Sequence, residues 1–442
     1  MKITVTAEQP VDEKLAAKVT VAAADVDKAI AKTYKDIANK YNFQGFRKGH
    51  APRPVIDGIM GREAVLAQAT NDLLTAVEPL LLEELDVTPV GRISFGEDPA
   101  LAAQGSDYAV EATIGVRPSC ELESYDAPEV NLPPEEATEA EVDWQVNQLL
   151  SYQTTYEDID EDRACEKGDV ISVDIENVSG AGHLAGTNRM LSLEGDAAPA
   201  ELQDGIEGMR KGETKEISWT HTAEHDGESL SHDFDVKVTL NAIKKAVTPE
   251  LDDELAKKFG FDDVAGLRAA VAEEIEADKK TTIPNLKEDR VVEAMGKLLK
   301  LETVPEDYQN EIFNELAQEF LAQLQRQNVS LDMFLRARGI KSEDFIADLH
   351  VQAEERARQS LALDAVAAKL GLEASEDDVR SEFARAGIDD VDAAVEEWRN
   401  QGRLPAIRDS IRRTKALEWL VQNAKVNVVD EVAERAAQAD AE

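Results

Sequence analysis

Gly45-Phe46-Arg47-Lys48-Gly49-His50-Ala51-Pro52 places an aromatic ring and two cations between glycines and a proline. A segment so punctuated turns rather than extends. Around it, from Ile37 to Ile56, stand Lys40, Arg47, Lys48 and Arg53 and not one carboxylate, although 90 of the 442 residues are Asp or Glu and the formal net charge is −42. Screening cuts electrostatics off beyond about 8–10 Å at physiological salt, so a phosphate or acidic partner touching this tip would feel the tip and little of the distant charge. The stretch therefore reads as a docking point. On its N-terminal side Ala24 to Tyr41 carries Val26, Ile30, Tyr34 and Ile37 at helical spacing. Beyond it Arg53 to Asp86 reads as helix again. Lys2 to Thr6, Lys18 to Val21 and Tyr108 to Val116 alternate as strands do. These elements predict a small α+β domain, residues 1–117, with the loop between two helices.

The charge also excludes. A main surface made for nucleic acid or anionic membrane presents a broad basic face, which a chain of charge −42 cannot supply; contact with RNA is confined to a small patch, and neither DNA nor membrane is an expected partner. The N-terminus turns polar at once, and no run approaches the ~18 apolar residues of a membrane span, so the chain reads as cytosolic. Cys120 and Cys165 stand far apart without C-x-x-C spacing. His221, His225 and His232 include an H-x3-H spacing, but no cysteine or carboxylate completes a metal set and the segment reads as a turn between strands. Neither G-x-x-x-x-G-K-[ST] nor G-x-S-x-G occurs. No metal and no cofactor are expected, and whatever the chain does would run without ATP.

At this length about three domains are expected, and the fold class is multidomain α+β. Residues 118–162 hold 14 carboxylates and no Lys or Arg, which predicts an extended acidic linker. Inside it Thr138 and Glu141 form a capping-box pattern opening a helix with the stripe Val142, Val146, Leu149 and Leu150, expected to pack on the helical part that follows. Residues 163–245 are Gly-rich and alternate at Val170 to Ile175, Thr214 to Trp219 and Phe234 to Leu240, a small β-rich domain. From 246 to 442 the text is helical, with Tyr308, Ile312, Phe313, Leu316, Phe320, Leu321 and Leu324 on one face. Ser342 and Ser375 are expected N-caps, and Arg403 to Val426 a last long helix.

G-F-R-K-G-x-x-P after one helix and before another resembles the ribosome-docking motif of bacterial trigger factors. Pro249-Glu250-Leu251 before Phe259-Gly260, Leu298-Leu299-Lys300 before Val304-Pro305, and Ala424-Lys425-Val426 are similar to the same family, so the resemblance covers nearly the whole chain. It implies an N-terminal ribosome-docking domain, a central FKBP-like prolyl isomerase domain and an all-α chaperone domain with arms. It implies docking through Gly45, Phe46, Arg47, Lys48 and Pro52 on the large ribosomal subunit near the tunnel exit, touching protein and rRNA. Its clients would be nascent or unfolded polypeptides, and it allows a homodimer off the ribosome and a role in export.

Carried across residue by residue, the FKBP-like pocket falls on Ile175, Leu184, Met190, Leu202, His225 and Val236, where that family uses mainly Phe and Tyr. Trp219 and Phe234 are the only Trp or Phe from 165 to 245, and there is no Tyr. A pocket that works by drying and shaping a twisted amide needs those rings, so weak or absent isomerase activity is expected. Candidates for the client surface are Met295, Leu298, Phe313, Leu316, Phe320, Met333 and Phe334, apolar side chains that separate arms cannot all bury. Two other readings stay open: a prolyl isomerase whose helical part recruits substrate, and an acidic holdase or assembly factor that works off the ribosome.

Overall fold

A computed structural model describes the chain except for Asp160, His183 and residues 194–197, 226–227 and 440–442, and except for the side chains of 221–232. It begins with β1 (Ile3–Ala7), β2 (Lys14–Val21), α1 (Ala23–Lys40), α2 (Arg53–Met60), α3 (Arg62–Leu85) and β3 (Tyr108–Gly115). The strands form an antiparallel sheet in the order β1-β2-β3. Period-two alternation sends Leu15, Ala17, Val19 and Val21 of β2, and Tyr108, Val110, Ala112 and Ile114 of β3, to one buried face. There they meet the predicted stripe of α1, Val26, Ile30, Tyr34 and Ile37, and the inner face of α3. The helix expected from Arg53 to Asp86 is two helices. Gly61 divides them at φ 85°, a backbone conformation that no helix contains.

Next come β4 (Glu129–Leu132), α4 (Glu139–Ser151) and β5 (Thr155–Asp158). The capping box is present: the Glu141 N–H donates to Thr138 Oγ1 and the Thr138 N–H to Glu141 Oε2. Val142, Val146 and Leu150 are buried against Leu255, Ala256, Leu267 and Val271. Lys279 is also buried, and its ammonium donates to Pro134 O, Glu136 O and Glu141 Oε2 at 2.8, 2.9 and 2.6 Å. All three donors are satisfied, which is what allows a lysine inside.

The β-rich part comprises β6 (Val170–Ser179), β7 (Gly186–Ser192), α5 (Ala200–Ile206), β8 (Thr214–His225) and β9 (Glu228–Val247). Its sheet runs β5-β9-β6-β7, with β8 also on β9. The strands are longer than their alternation predicted: β8 runs on to His225, β9 starts at Glu228, and the two pair antiparallel. The expected histidine turn is therefore strand, with His221 opposite His232 in the backbone register; the three histidine side chains lie outside the described residues. β5 pairs with the last residues of β9, so the chain enters and leaves this sheet side by side, and the Thr154 and Thr248 hydroxyls are 2.9 Å apart.

The helical part follows as α6 (Asp253–Lys258), α7 (Val264–Lys297), α8 (Glu306–Arg326), α9 (Leu331–Arg338), α10 (Ser342–Leu370), α11 (Glu376–Arg385), α12 (Val391–Asn400), α13 (Leu404–Asn423), β10 (Lys425–Val428) and α14 (Glu431–Ala439). Ser375 caps α11, as expected, and does so in a capping box with Asp378. Ser342 does not cap α10: it is the first helical residue, and Lys341 occupies the cap position without a side-chain bond. The last long helix stops at Asn423. Lys425-Val-Asn-Val then lies parallel to Glu129–Leu132, so part of the expected linker is a strand.

That pairing makes the compact units discontinuous in sequence: residues 1–132 with 282–429, and 133–281 with 430–442. Within the first unit an ionic clasp ties α3 and the strand-end segment to the helices. Arg408 bonds Glu83 and Asp86 at 2.8 and 2.9 Å, and Arg412 bonds Asp86 and Asp409 at 2.9 and 2.6 Å. Arg117 pairs with Asp364 at 3.0 Å and with Asp409, to which Thr88 Oγ1 also donates. Gly402 lies against Pro79 of α3, where an added Cβ would sit 2.7 Å from its Cα.

Candidate functional site

The loop between α1 and α2 is built from two successive tight turns. The Phe46 N–H donates to Phe43 O at 3.1 Å, and the His50 N–H to Arg47 O at 3.0 Å. The third residue of each turn is glycine, Gly45 at φ 87° and Gly49 at φ 83°. A positive φ there is the type II requirement, and it explains the G-x-x-x-G spacing. The Gly49 N–H reaches back to Ala38 O at 2.8 Å, and a Cβ on Gly49 would sit 2.4 Å from Asn39 Oδ1. Phe43 drops into the core, while Phe46 is 42% exposed and Arg47 and Lys48 face solvent. Pro52 then occupies the cap of α2, with Pro54 inside its first turn, where a missing N–H costs nothing.

Behind the loop α1 and α2 are clamped. The Tyr34 hydroxyl donates to Asp57 Oδ1 at 2.5 Å, and the Arg53 guanidinium lies 4.8 Å from the Tyr34 ring centre. Burial, reinforced by that bond to a carboxylate, pushes the Tyr34 phenol up to about 12. The sequence places Tyr34 in the apolar stripe, and its partner was the missed element. A buried phenol needs an acceptor, and Asp57 is the first carboxylate after the acid-free stretch. The loop thus presents one ring and two cations on a fixed backbone, at low entropic cost to a partner.

The expected client residues divide. Met295 is fully buried among Val291, Tyr308 and Leu361 and has no surface to offer. Leu298, Phe313 and Leu316 are half-buried against the same core, and Phe313 stacks on His350 with ring centres 4.2 Å apart. Met333 on α9 is 62% exposed. Phe320 and Phe334 are partly exposed and meet edge to face at 5.2 Å, with Phe345 5.1 Å from Phe320. Leu321, Ile340 and Ile346 are exposed beside them in sequence, and the reading of the α8 stripe alone missed the last two, which belong to the following turn and helix.

In the β-rich part Ile175, Leu202 and Val236 are core residues, at most 3% exposed. Leu184 is half-buried against the same core and Met190 is exposed; the His225 side chain lies outside the described residues. Trp219 and Phe234 stack on each other at 5.3 Å.

A rigid cationic loop on an α+β layer, a β-rich insertion and helices that leave aromatic and methionine surface uncovered make the architecture of a multidomain molecular chaperone. The family model described as bacterial trigger factor protein (TF) matches residues 1–149, and the one described as bacterial trigger factor protein (TF) C-terminus matches 263–422. Trigger factor of Lysinibacillus sphaericus is 29% identical over 420 residues, 92% of this chain and 96% of the relative. That of Halalkalibacterium halodurans is 28% identical over 417 residues, 92% of this chain and 96% of the relative. A solved structure described as concerning promiscuous substrate recognition by the trigger factor chaperone superposes over 95% of this chain and 99% of its own, at 19% identity and a TM-score of 0.40, too loosely to add to the argument. The chain belongs to the bacterial trigger factor family, the ribosome-associated chaperones.

Proposed function

We propose that this chaperone docks on the large ribosomal subunit near the tunnel exit through Gly45, Phe46, Arg47, Lys48 and Pro52, and shelters emerging chains with its helical arms. The observation that carries this is the acid-free loop held by two glycine turns, because it presents an apolar ring and two cations that rRNA phosphate and acidic ribosomal protein side chains can take. Residues 1–117 serve as the ribosome-binding domain and 118–162 as the connector. Residues 163–245 form an FKBP-like domain, and 246–442 the chaperone domain. The protein works in the cytoplasm, dimerises when off the ribosome, and needs no cofactor. Half-buried Leu298, Phe313, Leu316, Phe320 and Phe334, with exposed Met333, supply the client surface. Met295 is left out of it.

Turnover of a short Xaa-Pro peptide is expected to be far below that of an aromatic-rich FKBP domain. Ile175, Leu202 and Val236 are taken up by the core, and the rings that would dry a prolyl pocket are absent. Ordinary FKBP-like turnover, abolished by altering Leu202, would restore the enzyme reading.

Holding activity is expected to survive removal of the β-rich insertion. The cut belongs between Thr154 and Thr248, because their hydroxyls are 2.9 Å apart and the β5–β9 pairing leaves with the insertion. A short linker then closes the gap, and α4 keeps its apolar partners Leu255, Leu267 and Val271. The variant should suppress aggregation of an unfolded client in a light-scattering assay at near wild-type level, with circular dichroism showing a folded helical protein. Complete loss of suppression from a folded variant would move the client site into the insertion.

A further inference from the structure

The unit formed by 133–281 and 430–442 contains a cavity of about 350 Å3 between α4, α7 and the start of α14. None of the residues lining it belongs to the docking loop or to the client surface proposed above. On α4 the buried stripe Val142, Val146 and Leu150 is complete without Trp144. Glu141, Trp144 and Gln145, spaced by three and four residues, share another face of that helix, and all three line the cavity. The Trp144 indole is 55% exposed and makes no hydrogen bond or ring contact among the described residues. A ring left in water off the core stripe has apolar surface to give to a partner.

The other walls are apolar as well. Ile275 comes from α7 and Val432 from the first turn of α14, which Asp430 caps by accepting from the Ala433 N–H at 3.0 Å. Charge then decides what the walls suit. Lys279 is the one cation in the lining, and its ammonium is taken up by Pro134 O, Glu136 O and Glu141 Oε2. Glu274 and Asp278 add two carboxylates four residues apart on α7, a spacing at which like charges repel. Glu274 has no hydrogen bond or ion pair among the described residues.

We propose that this cavity binds a small quaternary ammonium compound, with its cationic head on the Trp144 indole, its methyl groups against Ile275 and Val432, and Glu274 balancing its charge. The uncovered indole beside an unneutralised carboxylate carries the inference, because the face of a tryptophan attracts a cation most strongly when the cation sheds its water easily. A methylated ammonium does so, whereas a primary ammonium is compact and strongly hydrated. A metal ion asks for several oxygen ligands converging on one point, which two carboxylates beside apolar walls do not supply. Anions are repelled. The volume lies at the lower end for small-molecule pockets, about 300–1,000 Å3, and suits a compact ligand.

The test titrates the full-length protein with choline at constant ionic strength, followed by saturation-transfer NMR on the methyl signal, beside the uncharged isostere in which carbon replaces nitrogen. Choline should bind with a Kd on the order of 1 mM and at least about fivefold tighter than the isostere. Trp144→Ala should weaken it about tenfold and Trp144→Phe about threefold, since a phenyl face holds a cation less well than an indole. Glu274→Gln should cost about threefold and remove most of the salt dependence. Trp144 and Glu274 are both exposed, so circular dichroism should not change. Equal binding of choline and the isostere would overturn the inference in favour of a merely apolar cleft. Choline binding that survives Trp144→Ala would reduce it to diffuse attraction by an acidic surface. Displacement of choline by a lysine-rich unfolded peptide would assign the cavity to polypeptide instead, and absence of choline binding would remove the site altogether.

Discussion

Alanine at Phe46, Arg47 and Lys48 together will release the protein from ribosomes, lowering co-sedimentation at least about tenfold, with no change in thermal unfolding. The size follows from truncating an exposed ring and two cations on a preorganised loop, where a few residues carry most of an interface's free energy. The fold should be indifferent, because all three side chains point to solvent and the turns are held by main-chain bonds among Phe43, Phe46, Arg47 and His50 and by Gly49 to Ala38. Changing Arg47 and Lys48 alone should flatten the salt dependence of binding, and changing Phe46 alone should weaken binding equally at all salt concentrations. Undiminished co-sedimentation of the triple variant would remove the loop from the docking surface.

Arg117→Met should destabilise the unit formed by 1–132 and 282–429 by about 3 kcal/mol, because it leaves buried carboxylates short of a partner. Arg117 is nearly enclosed and bridges Asp364 and Asp409, and Asp409 is itself buried. The loss should carry a pH signature. Burial holds the Asp364 carboxyl above its ordinary range, against the pull of Arg117 and Arg413. A carboxyl raised on folding adds stability below its unfolded pKa and loses it as pH rises through its folded pKa. Without Arg117 that rise becomes larger, so the gap between variant and wild type should be widest near pH 8 and narrow toward pH 5. Asp86 behaves oppositely: burial would raise it, but bonds from Arg412 and Arg408 outweigh burial and hold it low, so its contribution fades in acid in both proteins. Urea denaturation at the two pH values reads both effects; a shift under about 1 kcal/mol, or one independent of pH, would show that the clasp is solvated and weak.

The parts of this architecture that were legible in the sequence were the local ones. The α1 stripe, the Thr138 capping box, the Ser375 cap and the turns between Gly45 and Pro52 depend on residues a few positions apart, and each was readable from local sequence alone. What escaped was long-range. Lys425-Val-Asn-Val is too short and too exposed to announce a strand, and its partner Glu129–Leu132 is hidden in a run whose charge reads as linker. The clasp joins Arg117 to Asp409 and Glu83 to Arg408 across about three hundred residues, so nothing at either end announces it. Met295 shows the same limit: at helical spacing an inward methionine and an outward one look alike, and only packing against Tyr308 and Leu361 decides. The end of α8 was half legible, since Phe320 and Leu321 stand in its stripe while the exposure of Met333 and Ile340 depends on how α9 folds back.

The central claim is a division of labour, with the loop on the ribosome and the arm on the client. It is tested most directly by a photo-crosslinking residue placed at Phe46 in one variant and at Met333 in another, each added to ribosomes stalled on an aggregation-prone nascent chain. The account predicts that the Phe46 probe captures large-subunit protein or rRNA and that the Met333 probe captures the nascent chain. Capture of the nascent chain from position 46, or of ribosomal components alone from position 333, would contradict it.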